Sequence, residues 1–381
     1  MTEFDSLIIG AGFAGGVMAR ELAEKGKRVL VLEKRDHIGG NAYDCLDDAG
    51  VLIHQYGPHI FHTADKKVFD YLSQFTAFRP YEHRVVANVY GQLMPVPFNL
   101  TSLEIAYEGN APALEKKLLD TYGAEKKVTI LELRESADPE IRALADYVYE
   151  NVFVHYTKKQ WDQNPDEIDP ATTARVPVFL SRDDRYFQDP YQGMPTNGYA
   201  ALFAGLLGHP NIHVELEQDA FIRMKLVDGK VFLDGSRFDG DVIYTGAVDA
   251  LFGCRFGALP YRTLDFQFET HPIEWFQTHG TVNYTVDQDF TRITEFKHLT
   301  GQVLKNRTTT AKEFSRAYTG APDETPYYAI RNPENNARYG QYRDLAAKYP
   351  KLHLLGRLAE YQYYNMDAIV ARALALAEEL K

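Results

Sequence analysis

The sequence predicts an α/β protein: a Rossmann-like nucleotide-binding domain with a helical insert and an antiparallel β-sheet domain, interleaved along the chain. Three observations carry this. A strand-turn-helix-strand unit runs from Leu7 to Glu33 with glycines at 10, 12 and 15. A long helical run separates it from a later series of strand-forming segments. A second strand-glycine-helix unit closes the chain from Lys351 to Leu380.

Taken in order, Leu7-Ile8-Ile9 is short and apolar, as a buried parallel strand must be. In the following GxGxxG, Gly10 serves the tight turn, Gly12 admits backbone close to a pyrophosphate, and Gly15 lets the helix lie on the strand. That helix offers its N-terminal N–H groups and partial positive charge to a diphosphate. Ala19 and Leu22 continue its buried stripe, and Gly26 ends it. Arg28 to Leu32 is the second strand, and Glu33 stands at its end, where a carboxylate can accept both hydroxyls of a ribose. GxGxxG alone is a weak signal, but strand, turn, helix, strand and acid in this spacing form a strong one. Lys34 to Asn41 adds the pair Gly39-Gly40, which admits backbone beside a bulky cofactor and favours FAD over NAD.

Tyr56-Gly57-Pro58-His59-Ile60-Phe61-His62-Thr63 is a glycine-proline turn with two histidines, followed by a helix from Asp65 to about Phe75. Such a turn can lie against a flavin ring, or its histidines can simply cap neighbouring backbone. Arg84 to Tyr90 and Gln92 to Pro95 read as a hairpin closed at Gly91. Helix dominates from about Ser102 to Asn151. Strands return at Ile212 to Glu217, Lys230 to Leu233, Asp241 to Thr245, Leu264 to Glu269, Gly280 to Thr285 and Thr291 to Lys297. Lys351 to Leu355, Gly356-Arg357 and an amphipathic helix from Met366 to Leu380 mirror the opening unit and can bring a second helix N-terminus to the cofactor.

Between Phe153 and Tyr191 lie Tyr156, Lys158, Lys159, Trp161, Arg175, Phe179, Arg182, Arg185, Tyr186 and Phe187. Aromatic faces stack on bases and arginine forks pair with phosphate, so a nucleotide diphosphate suits the group. Any one of these residues alone is better explained as structure, in a chain with 25 tyrosines and 22 phenylalanines. Asn164-Pro165, Asp169-Pro170 and Val176-Pro177 restrict the run, while Gly193 and Gly198 could hinge it as a lid.

The chain has 381 residues and a formal net charge of −12, a field that repels nucleic acid and anionic membranes. An anionic substrate therefore needs a local basic pocket. Cys45 and Cys254 are the two cysteines, far apart and without CxxC, which speaks against a disulfide framework, a zinc knuckle or a redox-active disulfide. No signal-like leader or bilayer-length apolar window is present, so the cytoplasm is the expected compartment.

The motifs Tyr56 to Thr63, Tyr156-Thr157-Lys158-Lys159-Gln160-Trp161, Arg175-Val176-Pro177, Val242-Ile243-Tyr244-Thr245-Gly246, Phe290-Thr291-Arg292, Pro326-Tyr327-Tyr328 and Gly356-Arg357-Leu358 stand in one order. By them the chain resembles the bacterial UDP-galactopyranose mutase family over nearly its whole length. That resemblance implies redox-neutral interconversion of UDP-galactopyranose and UDP-galactofuranose through a covalent adduct of galactose with reduced FAD. It implies that Gly10, Gly12, Phe13, Ala14, Gly15, Glu33, Lys34, Gly40, Asn41, Gly356, Arg357, Tyr364, Asn365 and Met366 hold FAD, with His59, Ile60 and His62 near its ring. Tyr156 would stack on uracil and Trp161 would line the sugar side of a lid. Arg175 and Arg292 would grip the diphosphate with help from the Tyr186, Tyr328 and Tyr363 hydroxyls, and Asn283 and Asn365 would line the same pocket. Arg175, Arg292 and His62 are the expected catalytic residues, and losing Arg175 should cost roughly 100–1000-fold in turnover. Asn365 departs from the aspartate usual in bacterial members. No acid–base dyad stands out in the sequence, and none is required if the flavin supplies both lone pair and proton relay.

The family further implies a homodimer, an external reductant such as NADPH or NADH, a role in surface polysaccharide synthesis, and no metal. The expected division is 1–82, 193–250 and 326–381 for the FAD-binding domain, 83–100 and 251–325 for the β-sheet domain, and 101–192 for the helical lid domain. Two alternatives stay open: a flavin oxidoreductase of the amine-oxidase type, and a non-catalytic sugar-nucleotide binder with structural FAD.

Overall fold

A computed structural model describes residues 3–161 and 177–380, with Trp161 described in its backbone alone. The Rossmann-like part is a five-stranded sheet in the order Ile212–Glu215, Val29–Leu32, Ser6–Ile9, Asp241–Tyr244, Leu352–Leu354. Every pair in it is parallel. The central strands are buried on both faces, which explains why they read as unbroken apolar runs. One face carries the helices Phe13–Glu24, Gly198–Leu207 and Met366–Glu379 in a shared core with Ile8, Val31 and Ile243. Leu7, Leu30 and Val242 face the other way, against a small meander of Met224–Val227, Lys230–Leu233 and Ser236–Phe238.

The second sheet has seven strands in the order Tyr328–Ala329, Tyr261–His271, Thr308–Ala317, Arg292–Glu295, Thr281–Tyr284, Val85–Val89, Gln92–Val96. Sequence patterning predicts it antiparallel, and it is so except where Thr281–Tyr284 runs parallel to Val85–Val89. The hairpin closes through Tyr90 (φ 51°) and Gly91 (φ 90°), two left-handed residues as a tight two-residue turn requires. Its apolar side, with Val85, Ala87 and Met94, forms one core with the helical insert.

That insert comprises Leu100–Tyr107, Ala111–Tyr122, Ile130–Arg134 and Pro139–Val148. Instead of stopping near Asn151, the last helix widens through Tyr149–Val154 and continues as His155–Trp161, reaching the seven-stranded sheet. The helix ending there is held by side chains of that sheet: Arg262 Nε and Ser315 Oγ donate to the Gln160 carbonyl. Lys159 Nζ donates to the carbonyls of Tyr284, Gln288 and Phe290.

The two expected hinge glycines serve close packing. A Cβ on Gly193 would sit 2.7 Å from the Arg79 carbonyl oxygen, in the small sheet that pairs Tyr191–Pro195 with Phe61–Thr63 and Phe78–Pro80. Gly198 (φ +82°) starts a helix beneath the Asp44 carboxylate, which accepts hydrogen bonds from the N–H groups of Tyr199 (2.6 Å) and Ala200 (2.7 Å).

Candidate functional site

At the carboxyl ends of the parallel strands the chain forms a cavity of about 340 Å³. Its floor is the first turn. Gly10 has φ +102°, and a Cβ there would come within 2.2 Å of Thr245 Oγ1. A Cβ on Gly15 would lie 1.9 Å from the Gly10 carbonyl oxygen, so Gly15 sits behind the turn and sets the helix on the strand without lining the cavity. No side chain caps the helix at Gly12, and Gly12, Phe13 and Ala14 face the cavity. Gly40 (φ +57°) folds its backbone onto Gly12, where a Cβ would stand 2.9 Å from the Gly12 Cα. Glu33, Lys34, Asn41, Gly356 and Arg357 complete the wall. The Glu33 carboxylate already accepts from the Ala11 N–H (2.8 Å) and the Arg35 N–H (3.0 Å), which fix its direction and leave lone pairs for a ligand. An open helix N-terminus beside a bare backbone cradle fits a dinucleotide diphosphate.

A second cavity of about 900 Å³ adjoins the first, since His59, Tyr327, Arg357, Tyr364 and Met366 line both. The predicted residues Ile60, His62, Tyr156, Tyr186, Asn283, Arg292, Tyr328, Tyr363 and Asn365 line this larger space. They arrive from the Phe61 strand, the His155 helix, the seven-stranded sheet and the start of the last helix. Arg292 donates from Nε (2.8 Å) and Nη2 (2.7 Å) to one oxygen of Glu313, which is buried. Burial works against the Arg292 charge, but the Glu313 carboxylate beside it holds the guanidinium above its ordinary pKa. Arg357 donates to the Tyr364 carbonyl (2.6 Å) and lies 4.7 Å over the Tyr363 ring.

Burial pushes the Tyr328 phenol up to about 12 and raises those of Tyr156 and Tyr186, so all three remain hydrogen-bond donors at neutral pH. Burial also lowers His59 to about 4 and His83 to about 3, which keeps both imidazoles neutral. His59 is fixed by its Nδ1 contact with the Gly57 carbonyl (2.8 Å) and by its own N–H, which donates to His54 Nδ1 (3.0 Å). The Asn283 side-chain oxygen is buried without a hydrogen-bond partner among the described residues, although Asn283 lines the cavity. An unpaired amide there is costly unless a ligand satisfies it.

His62 and Asp189 stand 127 positions apart in sequence, yet their Nδ1 and Oδ2 atoms are 2.7 Å apart at the wall of this cavity. No such pair stands out in the sequence, because 127 positions separate its members. The Arg-plus-aromatic cluster is also smaller than its sequence suggests. Phe179 is buried, with Lys127 over its ring. Arg182 pairs with Glu104 and Glu115, Arg185 with Asp183, and Lys158 is exposed. Tyr156, Tyr186 and Phe187 remain at the cavity. Arg175, the Trp161 side chain and the prolines of 165 and 170 lie outside the described residues.

Sequence reasoning missed Glu313, Asp189, His83 and the place of Tyr327 in the wall of both cavities. Glu313 carries a weak signal, a charged residue inside an alternating strand. Among the described residues no cluster of three or more His, Cys, Asp or Glu could hold a metal ion, and no helix is long and apolar enough to cross a membrane.

Comparison with known proteins adds three findings. Residues 151–363 match the family model for UDP-galactopyranose mutase, and residues 8–75 match that of an NAD(P)-binding Rossmann-like domain. The chain is 36% identical to a protein of Klebsiella pneumoniae named probable UDP-galactopyranose mutase, over 100% of this chain and 95% of the relative. It is 34% identical to a dTDP-fucopyranose mutase of Escherichia coli, over 98% of this chain and 97% of that one. A crystal structure of reduced UDP-galactopyranose mutase superposes with a TM-score of 0.72 at 16% identity, covering 100% of this chain and 94% of that one, which shows a common fold.

Proposed function

The chain belongs to the UDP-galactopyranose mutase family, and from that premise we propose how its two cavities divide the work of a flavin-dependent sugar-nucleotide isomerase. It is an isomerase that uses FAD and interconverts UDP-galactopyranose and UDP-galactofuranose. The smaller cavity takes the adenine dinucleotide part of FAD, with Gly10, Gly12, Phe13, Ala14, Gly40 and Asn41 around the diphosphate and Glu33 on the ribose. The larger cavity takes the nucleotide sugar. One observation supports this division above others: His59, Tyr327, Arg357, Tyr364 and Met366 line both spaces, so a ligand bound along the first ends beside a ligand bound in the second.

In this reading Arg292 and Arg175 hold the diphosphate, Tyr156 stacks on the base, and the Tyr186, Tyr328 and Tyr363 hydroxyls donate to phosphate oxygens. Trp161, Asn283 and Asn365 bound the sugar. Arg292 has five N–H donors and spends two on Glu313, which leaves three for substrate oxygens while the carboxylate fixes the fork. Reduced FAD, when bound, supplies the nucleophile toward the anomeric carbon, and the protein positions the sugar and stabilises the departing diphosphate. Gly15 supports the cradle from behind, and Lys34 and Ile60 close its edges. The same reading makes the protein a cytoplasmic homodimer recharged by an external reductant such as NADPH or NADH.

The test is incubation of dithionite-reduced, FAD-loaded protein with UDP-galactofuranose under anaerobic conditions, with products resolved by chromatography. UDP-galactopyranose should form with reduced enzyme and not with oxidised enzyme. Equal activity in both redox states, or a colourless protein that refuses flavin, overturns the reading. A second reading of the substrate follows from the 34% identity to a dTDP-fucopyranose mutase. The same assay with dTDP-fucofuranose separates the two by their kcat/KM values.

A further inference from the structure

Converting a pyranose to a furanose exchanges the ring oxygen. The C1–O5 bond breaks and O5 gains a proton; the C1–O4 bond forms and the C4 hydroxyl loses one. No electrons are gained or lost, but one proton must be given and one taken at the sugar end of the larger cavity. Three histidines line that cavity: His59, His62 and His83. His59 has Nδ1 against the Gly57 carbonyl, and the buried His83 has Nδ1 3.2 Å from the Tyr81 hydroxyl. His62 differs because its partner is a carboxylate.

We propose that Asp189 is a positioning residue for His62, and that the His62–Asp189 pair carries this proton. The inference rests on the mutase reading of the same site. Asp189 Oδ2, 2.7 Å from Nδ1, fixes the ring with its proton on Nδ1. Nε2 makes no hydrogen bond among the described residues, so it is left to carry the second proton of an imidazolium and, once that is given up, to offer a lone pair. Phe187 stacks on one face of the ring, centroids 3.5 Å apart and planes 12° from parallel, which restrains the imidazole. The two halves are tied by backbone as well: His62 pairs with Gln192 across the small sheet, and Gln192 Nε2 donates to the Asp189 carbonyl (2.9 Å). In the furanose-forming direction the imidazolium gives its Nε2 proton to O5 as the ring opens. The neutral ring then takes the C4 hydroxyl proton as O4 closes on C1, and His62 ends as it began. Asp189 stabilises the imidazolium and holds the neutral tautomer, as a carboxylate behind a catalytic histidine does.

The test compares reduced, FAD-loaded wild type with Asp189→Ala, Asp189→Asn and Asp189→Glu. Asp189→Ala should lower kcat about 100-fold, the lower end of a general acid–base contribution, with KM within about twofold. Asp189→Glu should recover part of that loss. Nitrogen-15 spectra of histidine-labelled protein should show the Nδ1-protonated tautomer of His62 in wild type and its loss in Asp189→Ala. Should Asp189→Ala misfold, Asp189→Asn, which keeps an acceptor but removes the charge, must still show the kcat loss. Unchanged kcat, or a loss that Glu does not relieve and that KM follows in parallel, overturns the proposal. If wild type itself yields no product, the mutase reading fails first, and the tautomer spectrum still judges the pair.

Discussion

Glu313→Gln isolates what the buried counter-ion does for Arg292. The carboxylate accepts two hydrogen bonds on one oxygen, at 2.8 and 2.7 Å, and its side chain is 2% exposed against 23% for Arg292. Glutamine has the same shape and one acceptor oxygen, so the substitution removes charge with little change in packing. Arg292 stays ionised, so what the substitution removes is the counter-charge of a buried guanidinium, a loss of about 3 kcal/mol. With an unfolding entropy of about 2.1 cal/mol/K per residue, a chain of this length has roughly 0.8 kcal/mol/K, and the melting temperature should fall about 4 °C. UDP affinity should not weaken, because the three donors left for phosphate stay on the arginine. Arg292→Met should do the opposite to binding, weakening UDP more than tenfold while stranding Glu313 without its partner. Calorimetry of the FAD-loaded protein and titration with UDP read both quantities. A Glu313→Gln protein that melts within 1 °C of wild type would refute the claim that this carboxylate is what makes the buried guanidinium tolerable.

Gly15→Ala should give protein that cannot hold FAD, because the new Cβ meets the Gly10 carbonyl oxygen at 1.9 Å; flavin absorbance after purification measures it. Stability should fall in acid. Burial holds His54 near 3, His59 near 4 and His83 near 3, so below about pH 6.5 the unfolded chain binds protons that the folded one does not. The contribution is whole above the unfolded value and is lost as pH drops toward 4, with a slope of about 1.4 kcal/mol per pH unit for each histidine. Urea midpoints at pH 7, 6 and 5 should show it, and His54→Phe should remove about a third of the slope. Lys159→Met strips the donor shared by three carbonyls of the 284–290 loop and loosens the helix bearing Tyr156, which Arg262 and Ser315 still hold at its end. UDP affinity should drop about tenfold, close to 1.4 kcal/mol, with Lys159→Arg recovering part of it.

What could be read in advance was local. The opening turn is legible because sterics at Gly10 and Gly15 admit no other residue, and the hairpin because Tyr90-Gly91 is bounded by strand-formers. The strand Thr308–Ala317 went unread although it pairs along ten positions with Tyr261–His271, since its lysine, glutamate and arginine obscure the apolar alternation. Glu313 is inward-facing there because Arg292, one strand over, supplies the opposite charge, and such a partner has no signature in spacing. The helices Gly198–Leu207 and Pro333–Ala346 were missed for opposite reasons, the first apolar on most sides and the second mostly polar, so neither shows a stripe. Arg182 and Arg185 looked like phosphate ligands because type and neighbourhood are all a sequence shows. The acids that occupy them come from elsewhere in the insert for Arg182 and from two residues back for Arg185.

The same pairing logic resolves how a chain of net charge −12 accepts a doubly anionic tail. The acids that matter near the cavity are each engaged: Glu313 by Arg292, Asp189 by His62. Arg357 at the junction spends its Nε on a neutral carbonyl, so its positive charge is undiminished where the two cavities meet. Lys127 and the start of the last helix, at Asn365 and Met366, also line the larger cavity. An aspartate at 365 would place a full negative charge at that helix start, and the neutral amide there leaves the local field favourable to phosphate. Short-range, desolvated charges therefore set the field inside, and the distant surface acids, screened by solvent over about 10 Å at ordinary ionic strength, set the field outside.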